Sequence, residues 1–191
     1  LGVDMLVLDD GWFGKRDDDC SGLGDWFVNE QKLRGGLGTL VQKVKALGMR
    51  FGIWFEPEMI SEDSDLYRTH PDWAIQIPGR NPMRSRYQLL LDLSNPDVQD
   101  YLYKCISDIL NSADISYVKW DMNRSISDWY TATLSRGRQM EMPHRYVLGL
   151  YELLEKLTSE FPDVLFEGCS GGGGRFDAGM MYYCPQIWCS D

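Results

Sequence analysis

At 191 residues, 43% hydrophobic and 25% charged, the chain has the composition of one globular domain with a sizeable core, which excludes a disordered segment. A formal net charge of -10 argues against nucleic acid and against anionic membrane surfaces, because both demand a basic face. A neutral small ligand suits this balance better, and neither a nucleic-acid nor a membrane partner is expected.

In chain order, the first element is an apolar run at Met5 to Leu8, read as a strand. Leu40, Val41, Val44 and Leu47 then share one face of a helix, and Phe51 to Phe55 gives a second strand. The Pro, Gly and Arg-rich stretch Ile77 to Arg86 reads as a long inserted loop before a β-like segment, Gln88 to Leu93. Asn95 is a good N-cap and Pro96 suits a first helical position, opening a helix with Val98, Tyr101, Leu102, Cys105, Ile106 and Ile109 inward. Ser116 to Trp120 is the next strand. A helix is predicted from about Arg145 to Glu160, with Val147, Leu150, Leu153, Leu154 and Leu157 inward and Pro162 closing it. Strands at Val164 to Phe166 and Gln186 to Trp188 follow.

Short apolar runs without alternation are the pattern of strands buried on both faces of a parallel sheet, and their alternation with helices gives βαβ units. Nearly every strand turns at once into polar residues: Asp9-Asp10-Gly11-Trp12, Glu56-Pro57-Glu58, Asp121-Met122-Asn123-Arg124, Glu167-Gly168-Cys169-Ser170-Gly171 and Cys189-Ser190-Asp191. A doubly wound sheet concentrates its site at one switch point, whereas a (β/α)₈ barrel gathers it from many strand ends. The fold class is therefore α/β, with the barrel favoured.

Five cysteines with no C-x-x-C pair fit neither a disulfide framework nor a thiolate zinc site, and point to a reducing, cytoplasmic compartment. With only His70 and His144 present, histidine metal clusters and Ser-His-Asp chemistry have little to work with, so no metal and no cofactor are expected and carboxylates must carry the reaction. Cys105 is read as core and both histidines as uninvolved.

Two carboxylates at strand ends, flanked by Trp and hydrogen-bonding groups, can cleave a glycosidic bond. Asp121 and Asp191 are the pair chosen. Lys119 places a positive charge on the strand face of Asp121, as a nucleophile requires, and Trp188 and Cys189 could give Asp191 the less polar setting that keeps a proton. The adjacent acids Asp9 and Asp10 would repel unless ligand hydroxyls or a nearby cation offset them, whereas Asp17-Asp18-Asp19 reads as a solvated loop. Trp12, Trp54 and Trp188 are either core or sugar-stacking platforms. Gly171 to Gly174 lacks the Lys-Ser/Thr of a phosphate loop and is read as letting a ligand approach the backbone.

The strings LDDGWF (8 to 13), IWFEPEM (53 to 59), KWDMNR (119 to 124), EGCSGGGGRFD (167 to 177) and QIWCSD (186 to 191) closely resemble the α-galactosidases of glycoside hydrolase family 36, in that family's order. The resemblance implies a (β/α)₈ catalytic domain that removes terminal α-linked galactose, from oligosaccharides such as melibiose or raffinose, with retention by double displacement. It puts Asp121 at the nucleophile and Asp191 at the acid/base. It also puts Asp9 and Asp10 against the 4- and 6-hydroxyls of galactose, and Trp54, Arg86, Lys119, Asn123, Cys169, Gly171 and Trp188 along the sugar pocket. A homo-oligomeric parent, such as a tetramer, is a further expectation.

Against the family's layout, residues 1–191 are expected to supply only about strands two to six of the barrel. The first and last strands, the N-terminal β-sandwich and the C-terminal β domain would lie elsewhere in a longer chain. The absence of an initiator Met and the strand-like runs at both ends agree with a cut sequence, so a leader is left open. Such a fragment is expected to be poorly stable and inactive alone, with open strand edges. The alternatives within the family are an α-N-acetylgalactosaminidase, which Cys169 disfavours, and a galactosyl-transferring raffinose or stachyose synthase. From other classes, a non-catalytic galactoside-binding relative and a metal-dependent barrel hydrolase complete the set.

Overall fold

The computed structural model describes residues 2–190. Five parallel strands, β1 (Met5–Leu8), β2 (Arg50–Phe55), β5 (Tyr117–Trp120), β6 (Leu165–Gly168) and β7 (Gln186–Ile187), lie side by side in the order β1-β2-β5-β6-β7. Helices α1 (Gly36–Ala46), α3 (Pro96–Ser112), α4 (Met142–Glu160) and α5 (Ala178–Tyr183) make the four crossovers. Each new strand adds on the same side of the last, so the order never reverses and no switch point arises. That is an arc of a barrel and not a doubly wound sheet.

Two short strands, β3 (Met59–Ile60) and β4 (Leu89–Leu90), pair antiparallel outside the main sheet, between β2 and α3, with a five-residue helix, α2 (Asp65–Thr69), in the same insertion. The β-like segment expected at Gln88 to Leu93 thus belongs to a side sheet.

The start of α3 is as expected: Pro96 sits in the first turn and Asn95 Oδ1 accepts the Asp97 N–H at 3.0 Å. Val98, Leu102 and Ile106 are fully buried along its inner face, each contributing about 1.5–3 kcal/mol by leaving water. Helix α4 packs on α3, and Gly149 lets it lie against the segment that leads into α3, since a Cβ there would lie 1.8 Å from the Leu93 carbonyl oxygen. The β2 segment Phe51 to Phe55 is wholly buried, as its continuous apolar run implies.

Two inward assignments are corrected. Leu47 is 74% exposed because α1 ends at Ala46 and leaves it as the C-cap, beyond the apolar stripe of Leu37, Val41 and Val44. Val147 is exposed because the core stripe of α4 is centred on Tyr146, Leu153 and Leu157, which puts Val147 at its margin. Helix α4 also begins earlier than expected, at Met142, after a 3₁₀ segment at Arg136–Glu141.

Among the described residues β1 is the outermost strand of the sheet, and Leu6 and Val7 are each 37% exposed. An aromatic cluster anchors the loop that follows. Trp12 stands edge-on to Phe55 with centroids 5.3 Å apart, and Phe13 lies 4.3 Å from Trp26. Trp12 is 2% exposed and donates its indole N–H to the Trp54 carbonyl at 2.9 Å, so it is core and not a sugar platform.

Candidate active site

The C-terminal ends of β1, β2 and β5 open into one cleft of about 190 Å³. It brings together Asp9, Asp10, Trp54, Arg86, Lys119, Asp121 and Asn123, seven of the residues singled out in the sequence, and adds Arg16 and Glu56. A larger cavity of about 470 Å³ beside it shares Asn123 and takes in Gly171, Arg124 and Arg175, but no carboxylate lines it. The carboxylates therefore gather in the smaller cleft.

Asp121 follows directly on β5, where its backbone N–H continues the sheet by donating to Phe55 O at 2.8 Å. Its side chain is buried, yet accepts three N–H donors. Oδ1 takes the Met122 backbone N–H at 2.9 Å, and Oδ2 takes the Trp54 indole at 3.1 Å and the Asn123 amide at 2.7 Å. Three N–H groups, which can only donate, suit the acceptor oxygens of this side chain and fix its orientation. Trp54 is thus core, at 3% exposure, and also a hydrogen-bond donor to Asp121.

Cys169 is 2% exposed behind Asp121 rather than facing the cleft. Burial, with the hydrogen bond and charge of Asp121, pushes its thiol up to about 12 and keeps it neutral.

The repulsion expected between Asp9 and Asp10 is met by a cation of the chain itself. Arg16, 6% exposed, grips Asp10 through Nε at 3.0 Å and Nη2 at 2.8 Å, and Asp9 Oδ1 accepts the Asp10 N–H at 2.9 Å. Arg16 was not singled out in the sequence. The signal was available, since an acid pair at an apolar strand tip calls for a nearby cation. Asp17, Asp18 and Asp19 are exposed, in line with their solvated reading.

Arg86 reaches the cleft rim from a backbone in the left-handed region, φ 52, followed by Tyr87 at φ 59. Neither is glycine, so this turn stores strain of the kind that accumulates at functional sites. Arg84, nearby in sequence, turns away to Glu62, with contacts at 2.6 and 2.8 Å.

Glu56 is 1% exposed, and burial is the main cause that pushes it up to about 7. Two residues on, Glu58 is fully buried and collects Trp120 Nε1 at 3.0 Å, the Tyr146 hydroxyl at 2.7 Å and Arg175 Nη1 at 2.8 Å. Both acids stand at a strand end already noted as polar, but neither was given a role. Two carboxylates flanking Pro57 at the end of a buried strand were the available signal.

Trp188 is 44% exposed and does not line the cleft, but its ring lies 4.6 Å from Lys119 Nζ in a cation–π contact. Asp191 lies outside the described residues, and so does its separation from Asp121. The loop leading to it is tied in place, since Trp188 N–H donates to Gly168 O at 2.9 Å and Gly173 N–H to Cys189 O at 3.2 Å. All five cysteines are free thiols, and Cys105 is half-buried against the core. His70 stacks on Trp73 at 4.0 Å, and His144 is exposed at the start of α4.

Residues 1–191 match the melibiase family throughout. The chain belongs to the melibiase family. It is 61% identical over 191 residues to the bifunctional alpha-galactosidase/sucrose kinase AgaSK of Mediterraneibacter gnavus, covering 100% of this chain and 20% of that protein. It is 56% identical over 191 residues to alpha-galactosidase AgaA of Geobacillus stearothermophilus, covering 100% of this chain and 26% of the other. A crystal structure of an AgaA variant in complex with raffinose superposes with a TM-score of 0.97 at 55% identity, over 100% of this chain and 26% of that one. That structure is described as a family 36 α-galactosidase, so the barrel reading of the sheet order has an independent support. The chain spans only a fifth to a quarter of these relatives' length.

Proposed function

We propose that this chain carries the nucleophile half of the active site of a retaining α-galactosidase. The observation that carries the reading is the three-donor cradle of Asp121 at a strand end, facing Asp9, Asp10, Lys119 and Arg86 across one small polar cleft.

In this reading an oxygen of Asp121 attacks the anomeric carbon of a terminal α-galactose. The bond to the leaving oxygen breaks, its electron pair stays with that oxygen, and Asp191 supplies the proton. Asp191 then takes a proton from water, which attacks the same carbon and releases Asp121. Retention requires the two carboxyl groups to stand about 5–5.5 Å apart. Asp9 and Asp10 accept from sugar hydroxyls, with Arg16 holding Asp10 in place, and Lys119, Arg86 and Asn123 donate to the remaining ones. Oligosaccharides such as raffinose are the substrate class, supported by the raffinose complex of the AgaA variant.

The test is hydrolysis of an aryl α-galactoside, and separately of the N-acetylgalactosaminide, by the full-length protein that carries this chain. Turnover of the galactoside alone supports the reading. Turnover of the N-acetylated sugar alone would move the specificity, and inactivity on both with galactosyl transfer to a sugar acceptor would make it a synthase.

A further inference from the structure

Glu56 has no part in the displacement chemistry, yet it lines the same cleft as Asp121 and is 1% exposed. Its Oε1 accepts the Asn123 backbone N–H at 2.7 Å, and its Oε2 accepts the Gln88 amide at 3.1 Å. Asn123 in turn donates from Nδ2 to Asp121 Oδ2 at 2.7 Å. The carboxyl of Glu56 therefore ties the loop after β5 to the segment before β4, and reaches the nucleophile through a single residue.

We propose that Glu56 is a positioning residue for the nucleophile: its buried carboxyl group clamps the Asn123 backbone, so that the Asn123 amide keeps Asp121 aimed at the anomeric carbon. This rests on the galactosidase reading for what Asp121 attacks.

A carboxyl buried for the fold alone is ordinarily held by a cation in contact, as Glu58 is by Arg175 at 2.8 Å. Among the described residues Glu56 forms no such ion pair; its partners are a backbone N–H and a neutral amide, neither of which brings a full positive charge to balance a buried carboxylate. The charged groups facing it are Asp121 across Asn123, Arg86 from the loop before β4, and Asp9, Asp10, Arg16 and Lys119 along the cleft. Burial raises the group, the Asn123 N–H opposes that, the Asp121 charge raises it further and Arg86 opposes again, which brings it to about 7. Glu56 is thus a neutral acid on the acid side of neutrality. On the alkaline side it places a second negative charge beside Asp121 and disturbs the aim that it otherwise holds.

The experiment compares Glu56→Gln and Glu56→Ala with wild type in the full-length protein, reading kcat and KM for an aryl α-galactoside across neutral pH. Removing the clamp in Glu56→Ala is expected to lower kcat ~100-fold with a smaller change in KM, as for loss of a hydrogen bond felt mainly in the transition state. Gln keeps an acceptor for the Asn123 N–H without a charge, so it is expected to recover most of that loss and to move the alkaline fall of kcat to higher pH. Glutamine as damaging as alanine, or pH profiles that superimpose, would overturn the proposal. Should the alanine variant not fold, the glutamine profile decides. Infrared difference spectra need no substrate: a buried carboxylic-acid band that wild type shows at acidic pH, and that Glu56→Gln lacks, supports the assignment, and its absence from wild type removes it. Inactivity of the wild-type protein would sink the galactosidase reading alone and leave the infrared result to judge Glu56.

Discussion

Asp121 and Asp10 both stand just past the ends of parallel strands in one sheet, yet Asp121 is 5% exposed under three N–H donors, while Asp10 lies at the surface with one cation, Arg16, gripping it. The difference follows the work proposed for each. A nucleophile has to be held in the attacking geometry before substrate arrives, which calls for donors fixed by neighbouring strands. A recognition carboxylate must keep acceptor capacity open for hydroxyls that arrive with the sugar. The braced side is built from β2 and β5 together, and the open side from one loop after β1.

The largest effect is expected beneath the braced side. Glu58→Ala leaves Arg175 buried without its carboxylate and strips Trp120 and Tyr146 of their acceptor, so a loss of about 3–5 kcal/mol is expected in denaturant unfolding of the full-length protein. A loss under 1 kcal/mol would mean that the brace does not depend on this cluster.

Next comes a pH dependence. Glu56 is raised from 4.5 to about 7, so the folded chain holds a proton in that window that the unfolded chain releases. Its burial carries no ionisation penalty below 4.5, and the penalty grows as pH rises and is complete above about 7. At 1.36 kcal/mol per unit this reaches roughly 3 kcal/mol. Glu56→Gln is therefore expected to gain stability over wild type on the alkaline side and to match it in acid; parallel stability curves in thermal unfolding would contradict the raised carboxyl.

Trp54→Phe keeps the packing but removes one of three donors to Asp121, which is expected to cost about 1.5–3 kcal/mol of transition-state stabilisation, a fall of about 10- to 150-fold in kcat/KM. An unchanged rate constant would place the cradle outside the chemistry. Smallest of all, Val147→Ser is expected to shift stability by no more than about 0.5 kcal/mol, because the side chain is exposed; a larger loss would restore the inward reading of that position.

The β/α alternation, the helix start at Asn95 and Pro96, and the gathering of Asp9, Asp10 and Asp121 were legible in the residues themselves, because strand ends in a parallel sheet converge whatever the details of packing, whereas Arg86, from an inserted loop, and Asn123 were placed there by the family resemblance. Asp121 could be singled out by position, but its cradle could not, since Trp54 Nε1 comes from a neighbouring strand in a register that sequence does not set. Arg16 escaped because a charged residue in a loop is usually solvated, and Glu56 and Glu58, noticed at a strand end, were given no role because only tertiary burial and partners set them apart. Leu47 and Val147 were misplaced because periodicity gives a helix face but neither its exact phase nor its last residue.

The most direct test of the central claim is made on Asp121→Ala in the full-length protein, with an aryl α-galactoside and added azide. Hydrolysis is expected to collapse in the variant and azide to restore release of the aryl group, with β-galactosyl azide as product, because azide occupies the space and the face of the missing carboxylate. Hydrolysis that survives the substitution, or an azide adduct of α configuration, would contradict it.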